Sequence, residues 1–162
     1  MLLNLLKRKE KHSQTAAAIL YPDKIIIVTR NTLKKSSWYI TDNFTILTNS
    51  SSDNEIAETV INHLDQSISD EKSHEEINKL WKSYLIKTKL KSNIKSHENA
   101  RFLSVFKTKK SITIHPKENK NSERLKASYH GIPDKILHVD LKISSQDLGK
   151  AIRLCWDKCT FS

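Results

Sequence analysis

Glycine is nearly missing from this 162-residue sequence, with Gly131 and Gly149 the only two. That scarcity excludes the glycine-rich loops that cradle phosphates, the dinucleotide fingerprint and the tight elbow that presents a nucleophilic serine. Nucleotide enzymes of those types are out. Cysteine is equally sparse: Cys155 and Cys159 stand four apart on one expected helix, badly placed for a mutual disulfide and short of a zinc set, so they read as reduced packing thiols. The seven histidines (His12, His63, His74, His97, His115, His130 and His138) never fall at the i, i+4 spacing of a helical zinc site. No cofactor or metal is expected. Long apolar runs are absent too. The opening MLLNLLKRKEKH places a short apolar run before a basic one, the reverse of a secretory signal, and reads as a tail or docked terminal helix over residues 1–14. Residues 15–162 then read as one domain, cytoplasmic by this reasoning.

Positive charge is plentiful, but arginine is not. The net charge is +10, yet only Arg8, Arg30, Arg101, Arg124 and Arg153 among 28 basic residues carry the bidentate head favoured for phosphate and base recognition. One segment runs the other way, since residues 50–78 hold a net −7 inside an otherwise basic chain. Aromatic residues make up 7% and do not sit inside the basic clusters, so no base-stacking platform is indicated. Most of them read as core.

Elements follow from periodicity. AAAILY (16–21) and KIIIVT (24–29) flank the turn pair Pro22-Asp23, and SWYI (37–40) and FTIL (44–47) flank Thr41-Asp42-Asn43, which reads as a hairpin turn. Ser52-Asp53-Asn54-Glu55 has the form of a capping box, followed by Ile56, Val60 and Leu64, and predicts a helix over about 52–66. Ser73-His74-Glu75-Glu76 opens a second, about 74–89, with Ile77, Leu80, Trp81, Tyr84 and Leu85 on one stripe and lysines opposite. RFLSVFK (101–107) and SITIH (111–115) read as a hairpin that Pro116 ends, and 117–126 as a mobile polar loop. KILHVDLKI (135–143) alternates as a half-buried strand, and Ser144-Ser145-Gln146-Asp147 caps a third helix over about 145–158.

The first and third helices echo each other. Ser52 matches Ser144, Glu55 matches Asp147, Ile56 matches Leu148, Val60 matches Ile152 and Asp65 matches Asp157, each pair ninety-two positions apart. The expected fold is α+β: an antiparallel sheet of about six strands, helices mainly on one face, and an internal duplication of a strand-strand-helix unit.

The order of features also resembles a known family. LWKSYLIKTKL (80–90), the hairpin ARFLSVFKTKKSITIHPKE (100–118), the strand ILHVDLKI (136–143) and the terminal SSQDLGKAIRLCW look like the CdiI-type immunity proteins of bacterial contact-dependent growth inhibition systems. That resemblance implies a cytosolic, non-enzymatic protein whose partner is a cognate toxin domain, commonly a nuclease, neutralised by occluding its active site. Charge complementarity then points to the acidic segment, and to Asp65, Asp70, Glu71 and Glu75 as partner-binding residues. Two other readings stay open. One is a nucleic-acid-binding domain using Lys79 to Arg101 and Lys107 to Lys126. The other is a small hydrolase built on His115, His130 and His138.

Overall fold

The computed structural model describes residues 13–34, 37–91, 97–120 and 128–162; the N-terminal segment 1–12 lies outside them. Among these residues nine strands form one sheet: β1 (Gln14–Leu20), β2 (Ile25–Leu33), β3 (Trp38–Leu47), β4 (Ser69–Asp70), β5 (Arg101–Lys107), β6 (Ser111–Lys120), β7 (Ser128–Gly131), β8 (Leu137–Asp140) and β9 (Thr160–Phe161). The main path runs β3-β2-β1-β5-β6-β7, while β4 pairs with β2 and both β8 and β9 pair with β6. All pairings are antiparallel except those of β4 and β9. Among the described residues the α-helices are α1 (Asp53–Asp65), α2 (His74–Thr88) and α3 (Ser145–Asp157).

Local chemistry starts each helix where the serines stand. Ser52, Ser73 and Ser144 accept from the amides of Glu55, Glu76 and Asp147, satisfying donors that a helix N-terminus leaves orphaned. Only Ser73 completes a capping box, with Glu76 bonding back to its amide. At the far end of α2, Lys89 adopts a left-handed conformation (φ 59°) that lets its amide close the last turn.

One face of the sheet carries α1 and α3. Ala16, Ala18, Ile25, Ile27, Leu103 and Val105 project to it and meet Ile56, Val60, Leu64, Leu148, Ile152 and Trp156 in one cluster. The Trp156 indole donates to the Ala18 carbonyl at 3.1 Å. Gly149 lets α3 approach α1 closely, since a Cβ there would overlap the Asp53 backbone carbonyl. Arg153 seals the crossing, its Nε 2.7 Å from Asp53 and a terminal nitrogen on the Ser51 carbonyl. The echoed helices are therefore partners: each follows a strand of its own half, and they pack on each other over the join.

As expected, the helices lie mainly on one face, with α2 the exception; three expectations need correction. Helix α2 lies on the opposite face, where Tyr84 and Leu85 pack with Ala17, Ile19, Ile26 and Val28; an apolar stripe says that a helix must be covered, not by which side of a sheet. Thr41-Asp42-Asn43 is not a hairpin turn but an irregularity within one strand, β3, opposite a register shift between Val28 and Arg30. The Thr41 hydroxyl donates to the Thr29 carbonyl and accepts from the Asn43 amide, so turn chemistry serves a bulge. Pro116 does not end β6, which continues to Lys120. It sits at the last β5 pairing, opposite Leu103, where β6 passes on to β7, a place where a missing amide does little harm. Residues 117–120 of the expected loop are thus strand, and 121–126 lie outside the described residues. The expected strand 135–143 shortens to β8, with Pro133–Lys135 forming one turn of 3-10 helix.

Candidate functional site

The four acidic residues singled out from sequence gather near one end of the sheet, where β1 begins and β2 and β5 finish. Asp65 closes α1 and holds the Lys107 ammonium at 2.6 Å. Asp70, in β4 beside Leu33, accepts the Tyr39 hydroxyl at 2.8 Å on either oxygen. Burial and this carboxylate push the Tyr39 phenol up to about 12. Glu71 pairs with Lys34 at 3.0 Å and Glu75, in the first turn of α2, with Lys79 at 3.0 Å. Each carboxylate therefore has an internal lysine or tyrosine partner. The pairs of Glu71 and Glu75 are mostly exposed, and such pairs hold only weakly and exchange readily for a better partner. Lys79, Lys87 and Lys107, which belong to the basic segments, are engaged with Glu75, Asp42 and Asp65.

A second constellation was not foreseen. Arg30, in the middle of the sheet, is fully buried and has no carboxylate partner among the described residues. Its guanidinium donates to the Thr15 hydroxyl at 2.6 and 3.1 Å and to the Ser104 hydroxyl at 3.0 Å. Trp38 covers it, with its ring centroid 3.9 Å from Cζ, and Phe106 flanks it at 5.3 Å. Burial pulls the guanidinium down to about 9. Next to it on the same face stand His115, pulled down to about 4 by burial and by Lys117 and Arg30, and Lys117, lowered by burial and by Arg30. The Lys117 amine has no ion pair or hydrogen bond among the described residues.

Lys117 borders a cavity of about 510 Å³ between this face and α2. Trp38 and Ile40 of β3, Trp81 of α2 and Phe102 of β5 form its apolar walls. Three phenols reach it, those of Tyr21, Tyr84 and Tyr129. The carbonyl of Lys91 lies 3.1 Å from His97 Nε2, which must donate to it, so Nδ1 accepts from the Tyr21 hydroxyl at 3.3 Å. Among the described residues the hydroxyls of Tyr84 and Tyr129 and the Asn119 Oδ1 are buried without a hydrogen-bond partner, the Tyr84 hydroxyl lying near that of Tyr21. All three phenols are raised, chiefly by burial, and the hydroxyls of Tyr84 and Tyr129 both oppose ionisation of Tyr21.

The expected histidine trio does not assemble. His115 lies on the cavity face and bonds Thr113 at 3.2 Å, and the exposed His138, opposite Thr113, shares that face and helps lower His115, but His130 alternates with the inward Tyr129 and is exposed on the other face. No group of three metal-binding side chains occurs among the described residues. Burial raises both cysteine thiols, Cys155 to about 11, which makes them packing groups. No helix of the described residues is long and apolar enough to cross a membrane.

The sequence matches the family model for CdiI, the CDI immunity protein, over residues 14–159. The chain belongs to this family. Its fold agrees: the CdiI-family chain superposes on a protein of unknown function, NMB0488, from Neisseria meningitidis with a TM-score of 0.78, at 14% identity, over 91% of this chain and 96% of that one. It superposes equally on a chain of the CdiA-CT/CdiI toxin and immunity complex from Yersinia pseudotuberculosis, with a TM-score of 0.78 at 14% identity, over 92% and 98% of the two chains. No curated protein matches it. As a CdiI-family member it is an immunity protein, whose role is to bind a toxin.

Proposed function

We propose that this CdiI-family protein acts in the cytoplasm, without catalysis of its own, by covering the active site of a nuclease toxin domain. The observation that carries the reading is the family match across almost the whole chain, residues 14–159. The likeness in fold to a chain of a toxin and immunity complex supports it. Asp65, Asp70, Glu71 and Glu75 supply carboxylates that stand where substrate phosphates would sit on the toxin. The lysine partners of Glu71 and Glu75 are lost at little cost because those pairs are exposed and weak, while complementary charge speeds the encounter.

The test pairs the chain with the toxin domain encoded beside it. A nuclease assay with increasing immunity protein should lose activity at one-to-one stoichiometry, and substrate DNA or RNA should compete with the complex. A toxin that stays fully active at saturation overturns the reading; inhibition without competition overturns occlusion alone. Reversing Glu71 and Glu75 to lysine should then slow association at low salt, and an unchanged rate would move the contact face elsewhere.

A further inference from the structure

We propose that the cavity between the sheet and α2 is a binding site for a small carboxylate with an aromatic or apolar body. The argument is one of unmatched chemistry. A buried polar group without a partner costs stability, about 1–3 kcal/mol for a hydroxyl by mutational measures. Here two such hydroxyls, of Tyr84 and Tyr129, border one space, and Tyr84 is only 1% exposed. Among the described residues Lys117 is the only charged one bordering that space, its amine is unpaired, and no acidic residue borders it. Arg30 adds a second desolvated cation behind Trp38. Among the described residues, the unspent groups that border the space are two phenols able to donate and one cation, so an anionic acceptor complements them; the unpaired Asn119 Oδ1 does not border it. The walls choose the rest of the ligand, because Trp38, Trp81 and Phe102 offer flat apolar surface in a volume of ordinary ligand size. A carboxylate head on Lys117 and the phenols, with a ring against the tryptophans, satisfies both.

Titration with 1-naphthaleneacetate and with its uncharged amide, 1-naphthaleneacetamide, tests this by calorimetry and by NMR of the three indole N–H signals. The carboxylate should bind saturably, shift the Trp38 and Trp81 signals, and leave that of Trp156, which is bonded to Ala18 on the other face, in place. The amide should bind about tenfold or more weakly, as expected for losing a charge-assisted contact. Lys117→Met should abolish that preference, and Tyr84→Phe, which keeps the ring packing, should weaken the carboxylate several-fold; signal dispersion shows whether each variant is folded. Equal binding of the two probes, no saturable shift with either, or movement of Trp156 together with the others overturns the proposal. The assay contains no toxin, so its failure leaves the immunity reading standing.

Discussion

Under α1 and α3 the sheet presents alanine, isoleucine, leucine and valine to a cluster whose polar groups are spent, the Trp156 indole on the Ala18 carbonyl and, at its edge, His63 on Thr29 and Thr45. Through the same strands, one residue out of phase, the opposite face presents Arg30, Phe102, Ser104, His115 and Lys117, and α2 covers only part of it. Strand alternation makes such a division available to any sheet; what matters is how each side is spent. The first face is close-packed to the point that Gly149 admits no side chain. The second keeps a cavity, two hydroxyls unpaired among the described residues, the buried cation of Arg30 and the half-buried one of Lys117. Stability resides on one side, while the other forgoes some of it and retains the groups with which a ligand could bond.

The difference can be broken most severely by truncating each face's tryptophan. Trp156→Ala should cost about 4 kcal/mol in urea denaturation, from lost burial and an orphaned cavity, while Trp81→Ala, on a wall already open, should cost less than half of that. Similar costs would mean that the second face is packed as tightly as the first. Next, Gly149→Ala should destabilise by about 2–3 kcal/mol by forcing α3 off α1, with a fall in the melting temperature as the readout. Acid gives a smaller effect and reaches both faces. Burial lowers His63, which bridges Thr29 and Thr45 at 2.7 and 2.8 Å beneath α1, and His97 and His115 on the cavity side. The unfolded chain therefore takes up protons that the folded chain refuses. The associated stability is complete above the ordinary histidine value of about 6.5 and is lost as the pH falls below it, with His115 continuing to contribute down to about 4. Urea midpoints at pH 7.5 and 5.5 should show the loss, and His63→Gln and His115→Gln should apportion it between the faces. The smallest effect belongs to Tyr84→Phe, which removes an unsatisfied hydroxyl and should leave the protein as stable or slightly more so; a loss above about 1 kcal/mol would reveal a partner for that hydroxyl.

The sequence revealed the helices and the first face because both are set locally. Capping serines fix where α1, α2 and α3 begin, and the repeated stripe of Ile56, Val60 and Leu64 against Leu148 and Ile152 identifies two helices that need the same kind of cover. The family, too, was legible in the segments from Leu80 to Leu90 and from Ser144 to Trp156. The second face was not, because it is assembled from afar. Arg30 stands just past the strand expected over 24–29, and its burial depends on Thr15, Trp38 and Ser104, which come from three different strands. The cavity's aromatics each looked like ordinary core where they stand; only the topology brings them round one space. Thr41-Asp42-Asn43 and Pro116 misled for a related reason, since turn residues specify a bend and leave it to the neighbouring strand whether the chain reverses or bulges. For Asp65, Asp70, Glu71 and Glu75, charge alone selected the segment, and their lysine and tyrosine partners became visible only in the fold.

The seam between β1 and β5 carries a kinetic consequence. Their facing residues, from Leu20 and Arg101 at one end to Gln14 and Lys107 at the other, are between 81 and 93 positions apart in the chain, while β1-β2, β2-β3 and β5-β6 all join near neighbours. Each half can therefore gain its hairpins early, but the pairing that unites them must wait for a long stretch of chain to close on itself. Non-local pairing of this kind places folding in roughly the millisecond-to-second range. During that interval the central strands of both halves are still open edges, so the newly made inhibitor meets its greatest aggregation hazard before it can meet its toxin.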